Sequence, residues 1–223
     1  MGGERLGMKQ RKRSGEGMSR AAKNKKTARK TSIVRKTGET DISLALNLDG
    51  KGDYQVATGM PFFDHMISLM CRHGLMDMRL KAAGDLDVDY HHTVEDVGIV
   101  SGKALREALG QMKGIRRYGF ASVPMDEALA QVSLDISGRP FLVYRVSYPK
   151  RQKIKDFDAD LVEDFLQAFV TNAGITMHVD VPYGRNLHHM VEAVFKAVGQ
   201  ALMSAVSVDP RAKKEPPSTK GRI

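Results

Sequence analysis

From Ile42 to Leu48 every second residue is apolar (Ile42, Leu44, Leu46, Leu48), which is the period of a strand with one buried face. Asp49-Gly50-Lys51-Gly52 then interrupts the pattern before Tyr54-Gln55-Val56, and turn formers between two strand-like segments predict a β-hairpin. Pro61 opens the next segment, where the apolar spacing of Phe62 to Met70 predicts a helix ending near Gly74. Alternation returns at Met78-Arg79-Leu80 and at Leu86-Asp87-Val88, so two further strands are expected. A helix from about Thr93 to Leu109 follows, stopped at Gly110. The second half uses the same grammar: strands around Val132 to Ile136 and Phe141 to Val146, a helix around Leu161 to Val170, a strand over Ile175 to Val181, and a final helix from about His189 to Val206.

The likeness of the halves extends to individual residues. Laid without gaps, His91 to Leu105 matches His188 to Leu202 at eight of fifteen positions: His, His, Val, Glu, Val, Gly, Ala and Leu. A strand and a Gly-containing turn precede each copy, beginning at Gly74 and Gly174. The pattern predicts an α+β fold of two pseudo-symmetric βα halves, each a small sheet with helices on one face.

Charge changes the picture at one end only. The formal net charge is +9, but residues 1–30 hold eleven Lys and Arg against two acids, and the remainder carries equal numbers of each sign. Residues 1–32 therefore form a basic tail, too poor in apolar side chains to fold and expected to be disordered. Residues 33–223 form the folded domain, with halves at about 33–120 and 121–208 and a C-terminal segment at 209–223. A neutral body argues against a nucleic-acid partner. Met18 is a candidate alternative start, and Leu6 stands where a myristoylation signal needs Ser or Thr. The single cysteine, Cys71, excludes an intramolecular disulfide and thiolate zinc sites. No run approaches the roughly 20 apolar residues of a membrane span, and none near Met1 resembles a signal peptide, so a soluble, cytoplasmic protein is expected.

Chemistry concentrates in the two His-His-x-x-Glu stretches. His91 and Glu95 stand at i and i+4 on one helical face, as do His188 and Glu192, so each pair can chelate one ion. His92 and His189 point about 100° away around the axis. If the two helices face each other, one ion takes His91, Glu95 and His189, and the other takes His188, Glu192 and His92, giving two metals per site. Imidazole and carboxylate suit manganese, iron or zinc, and the spacing does not choose among them.

Gly59-Met60-Pro61-Phe62-Phe63-Asp64-His65-Met66, Arg72-His73-Gly74, Gly84-Asp85, His91 to Asp96, Gly114 to Gly119, Met125 to Ala128, Asp135 to Pro140 and His188 to Ala197 together resemble the imidazoleglycerol-phosphate dehydratase family, in sequence and in order. The resemblance spans about residues 35 to 220. It implies a ribosomal-protein-S5-domain-2-like fold, dehydration of imidazole glycerol phosphate to imidazole acetol phosphate in histidine biosynthesis, two Mn²⁺ per active site, and a homo-oligomer of twenty-four subunits built of trimers. By the same resemblance His65 is a metal ligand that joins His92, His188 and Glu192. Substrate contacts fall on Glu39, His65, His73, His91, Glu95, Arg117, Arg139, His188, Lys196, Ser218, Thr219 and Lys220, several of them suited to a phosphate. Glu39 matches the residue that moves the proton. Asp164 departs from the pattern, standing where many members have a histidine ligand; a carboxylate can still ligate manganese. His178 is read as structural. The substrate has no carbonyl beside the carbon that loses its proton, so its imidazole ring, held as imidazolate between the metals, must serve as the electron sink. A two-metal hydrolase of a small phosphorylated metabolite is the alternative reading.

Overall fold

A computed structural model describes residues 1–3, 29–149, 153–212 and 215–221; most of the basic tail lies outside the described residues. The first half runs β1 (Lys30–Lys36), β2 (Thr40–Asn47), β3 (Tyr54–Ala57), α1 (Pro61–Gly74), β4 (Asp77–Gly84) and α2 (His91–Leu109). The second runs β5 (Tyr118–Met125), β6 (Ala128–Asp135), β7 (Phe141–Val146), a short β8 (Lys153–Ile154) and β9 (Phe157–Asp158) hairpin, α3 (Leu161–Ala173), β10 (Thr176–Tyr183) and α4 (Leu187–Val206). The sheets have orders β1-β2-β4-β3 and β5-β6-β10-β7, and in each the first two pairings are antiparallel and the third is parallel. The duplication read from the His-His stretches thus holds for the whole fold, which is α+β. Among the described residues no helix is long and apolar enough to cross a membrane.

The halves pack through their helices. α1 and α2 lie on the first sheet, α3 and α4 on the second, and α1 meets α4 while α2 meets α3. The close approach needs glycine at equivalent places. A Cβ on Gly102 would sit 2.4 Å from the Phe169 carbonyl oxygen, and one on Gly199 would sit 2.4 Å from that of Met70. Phe63, Phe157, Phe165 and Phe195, all buried, fill the space where the two helix pairs join.

Several expectations need correction. Residues 42–48 and 54–56 do not form a hairpin: β4 inserts between β2 and β3, and β3 runs parallel to β4 at the sheet edge. The Asp77 carboxylate at the start of β4 accepts the N–H groups of Lys51 and Asp53 and the Asn47 amide, so β4 itself organises the turn. Burial opposes ionisation of Asp77, but the Lys51 N–H leads the set that holds its carboxyl below the usual range. Leu86-Asp87-Val88 is a turn with Val88 exposed, not a strand. β1 begins at Lys30, inside the segment assigned to the tail, and neither β1 nor β5 was anticipated.

Candidate functional site

Each of the four helices carries a candidate ligand in its first two turns: His65 on α1, His91 and His92 on α2, Asp164 on α3, and His188 and His189 on α4. Asx groups fix the two His-His starts. Asp89 accepts the His91 N–H at 2.8 Å, and Asn186 accepts the His188 N–H at 2.9 Å.

Where α1 meets α4, His65, His188 and Glu192 bring ligand atoms within 4.8 Å of one another, the one such group of three among the described residues. His188 Nε2 lies 3.1 Å and His65 Nε2 3.7 Å from Glu192 Oε2, while Lys196 Nζ is 2.6 Å from Glu192 Oε1. Burial opposes ionisation of Glu192, but Lys196 and His188 together hold its carboxyl below the usual carboxylate range. Where α2 meets α3 the arrangement recurs: His91 Nδ1 is 3.2 Å from Asp164 Oδ2, and Glu95 lines the same shallow cavity. Asp164 therefore stands in α3 where His65 stands in α1.

The second histidine of each pair goes elsewhere. His92 Nδ1 is 3.0 Å from Asp85 and 3.8 Å from Glu39; His189 Nδ1 is 2.8 Å from Glu127 and 3.9 Å from Asp126. Both imidazoles are raised above their ordinary value, chiefly by the Asp85 and Glu127 hydrogen bonds respectively. Since α2 packs on α3 rather than facing α4, one chain does not assemble the expected sets that mix His91 with His189 or His188 with His92.

The phosphate candidates are also divided. Lys196 lies beside Glu192, and His73, at the end of α1, is lowered by burial and then by the Lys196 charge. Arg117, however, sits at the other end of α4: its N–H bonds the Ala205 carbonyl, seventeen residues beyond His188 and so about 25 Å along the axis. Its guanidinium grips Asp135 at 2.6 and 3.0 Å and the Pro217 carbonyl at 2.9 Å, holding the segment that carries Ser218, Thr219 and Lys220. Arg139 is exposed, and His178 lies on the outward side of β10 in neither ligand group.

Sequence reading missed Asp85 and Glu127. Glu127 is the counterpart of Glu39, each immediately preceding the second strand of its half. Glu127 accepts the N–H groups of Arg185 and Asn186 at 3.1 and 2.6 Å. With His189 the leading cause, followed by the Asn186 N–H, its carboxyl is lowered to about 2.

The family model for imidazoleglycerol-phosphate dehydratase matches residues 58–202. The imidazoleglycerol-phosphate dehydratase of Nitrobacter hamburgensis is 55% identical over 195 residues, covering 87% of this chain and 98% of that protein. That of Geobacter metallireducens is 57% identical over 196 residues, 88% of this chain and 100% of that protein. Among solved structures, the Staphylococcus aureus enzyme aligns with a TM-score of 0.74 at 37% identity over 81% of this chain and 99% of its own. The Pyrococcus furiosus enzyme, in complex with (S)-C348, aligns at 0.73 and 34% identity over 86% of this chain and 100% of its own.

Proposed function

We propose a two-metal mechanism for this chain from the premise that it belongs to the imidazoleglycerol-phosphate dehydratase family. It is accordingly a hydro-lyase of histidine biosynthesis that dehydrates imidazoleglycerol phosphate. The observation that supports the metal reading is the convergence of His65, His188 and Glu192, echoed by His91, Glu95 and Asp164 on the other side of the internal duplication. Two imidazoles with a carboxylate are a donor set suited to manganese, and the only cysteine, Cys71, is buried in the core. Bound there, divalent ions supply Lewis acidity and a template for the imidazole ring of the substrate.

The protein residues then divide the work. His65, His188 and Glu192 hold one ion with His92, while His91, Glu95 and Asp164 hold the other with His189. Lys196 keeps Glu192 ionised and presents a cation to the substrate phosphate, with Arg117, Arg139, His73 and the Ser218-Thr219-Lys220 segment as further contacts. Glu39 takes the proton from carbon, the hydroxyl on the neighbouring carbon departs with a proton as water, and the enol left behind tautomerises to the ketone. Glu39 is suited to this because its carboxylate accepts no hydrogen bond among the described residues. The separation of His188 from Arg117 along α4, and of His92 from the His65 group, supports a site shared between copies of the chain. The proposed assembly is a homo-oligomer of twenty-four subunits built of trimers, acting in the cytoplasm. Metal-stripped protein, verified by elemental analysis, should form no imidazole acetol phosphate and should regain turnover on addition of Mn²⁺. Normal turnover by the metal-free protein would overturn the reading.

A further inference from the structure

Asp96 lies on α2 one helical turn beyond His92 and is 7% exposed, so its charge needs compensation from the protein. The Thr40 hydroxyl bonds its Oδ2, and Arg35 Nε and Nη2 reach its Oδ1 at 3.1 and 2.8 Å. A carboxylate only accepts, so the Thr40 hydroxyl donates to it, and the Thr40 oxygen is left to accept from the Thr37 hydroxyl 3.1 Å away. Thr37 Oγ1 in turn accepts the backbone N–H groups of Glu39 and Thr40 at 3.2 and 2.9 Å. The turn that carries Glu39 is thereby tied through its backbone to the helix that carries His92, while the Glu39 carboxylate accepts no hydrogen bond among the described residues and meets only the His92 ring, Nδ1 at 3.8 Å.

The fold does not require this network. By strand register the counterparts of Arg35 and Thr40 in the second half are Val123 and Ala128, and by the helix repeat that of Asp96 is Ala193; all three are buried, and a turn of the same length joins the same two strands. There the acid is held instead by its own carboxylate. The polar network thus accompanies the acid whose carboxylate accepts no hydrogen bond among the described residues and is absent beside the acid whose carboxylate accepts three. Resting on the acid/base reading of Glu39, we infer that Arg35, Thr40 and Asp96 are positioning residues that fix the Glu39 turn so that its carboxylate reaches the substrate without a hydrogen bond to hold it.

The test copies the second half into the first with the triple variant Arg35→Val, Thr40→Ala and Asp96→Ala, and pairs Thr40→Val with Thr40→Ser in the full chain. Metal content, melting temperature, KM, kcat and the isotope effect with substrate deuterated at the carbon that loses its proton are measured for each. The triple variant and Thr40→Val should keep their metal and their KM while kcat falls by roughly 10- to 100-fold, the scale of a misplaced catalytic group. The isotope effect should rise as proton transfer becomes limiting, and Thr40→Ser, which keeps the hydroxyl, should stay near the parent. If the triple variant does not fold, the Thr40→Val and Thr40→Ser pair decides alone. Unchanged kcat in Thr40→Val, or a loss matched by metal content with no change in isotope effect, overturns the inference. Glu39→Gln is assayed beside them: near-normal kcat there, with metals bound, means that the acid/base reading itself has failed, whereas an inactive Glu39→Gln beside a normal Thr40→Val refutes only the positioning role.

Discussion

The two halves of the chain share strand order, helix packing and ligand placement, yet they hold their equivalent acids in opposite ways. In the first half the backbone of Glu39 is tethered and its carboxylate accepts no hydrogen bond among the described residues; in the second the Glu127 carboxylate is tied to two N–H groups and to His189. A carboxylate so occupied orients an imidazole and caps a loop but is a poor base, because hydrogen bonds to its charged form lower its pKa. The duplication thus places an acid at the same point of each half, and the local partners of the two differ. The ligand groups differ as well. The group where α1 meets α4 has Glu192 as its one carboxylate beside two histidines, and the group where α2 meets α3 has two carboxylates beside one.

The largest effect should come from Glu192→Gln, which removes the only carboxylate of the His65 and His188 group and leaves Lys196 unpaired. Metal content by elemental analysis and turnover should fall together, and retention of full metal would separate Glu192 from the ion. A smaller change is expected from Asp164→His, which makes the two groups alike. After equilibration with equal Mn²⁺ and Zn²⁺, the variant should carry a higher zinc fraction than the parent, since imidazole favours the softer ion; an unchanged ratio would place Asp164 away from the metal. Gly199→Ala should cost about 1–3 kcal/mol through overpacking against the Met70 carbonyl, read as a lower melting temperature. A neutral result would mean that α1 and α4 separate freely. The least effect concerns Cys71, whose thiol is pushed up to about 12 by burial and then by Asp77. It should stay protonated through neutral and mildly alkaline pH and resist alkylation until the protein unfolds, and rapid native labelling at pH 8 would contradict the packing.

The sequence made some of this plain and concealed the rest for identifiable reasons. The alternation of Ile42 to Leu48 and the spacing of Phe62 to Met70 name a buried strand and helix because burial there follows the side-chain period. β5 reverses the usual signal. Gly119, Ala121 and Val123 face the core while Tyr118 and Phe120 are exposed, so large apolar residues mark the wrong face. The pairing of β3 with β4 depends on a strand inserted from later in the chain, which turn residues cannot report. Within the site, the repeated His-His-x-x-Glu stretches are visible from spacing alone, whereas His65 is an ordinary helix residue until α1 packs on α4. Glu127 escaped because a gapless repeat stops short of it. The stretch from Glu127 to His188 is nine residues longer than that from Glu39 to His91, and the β8–β9 hairpin lies within it.

Side-by-side measurement of kcat and metal content for Glu39→Gln and Glu127→Gln tests the division of roles most directly. Glu39→Gln should keep its metals and lose roughly 10²-fold or more in kcat, the scale of a lost general acid or base. Glu127→Gln should instead weaken metal affinity by about 10- to 100-fold, as loss of a histidine-orienting carboxylate does, and recover turnover when Mn²⁺ is in excess. A Glu39→Gln protein that loses its metals, or that turns over normally with them bound, would contradict the account.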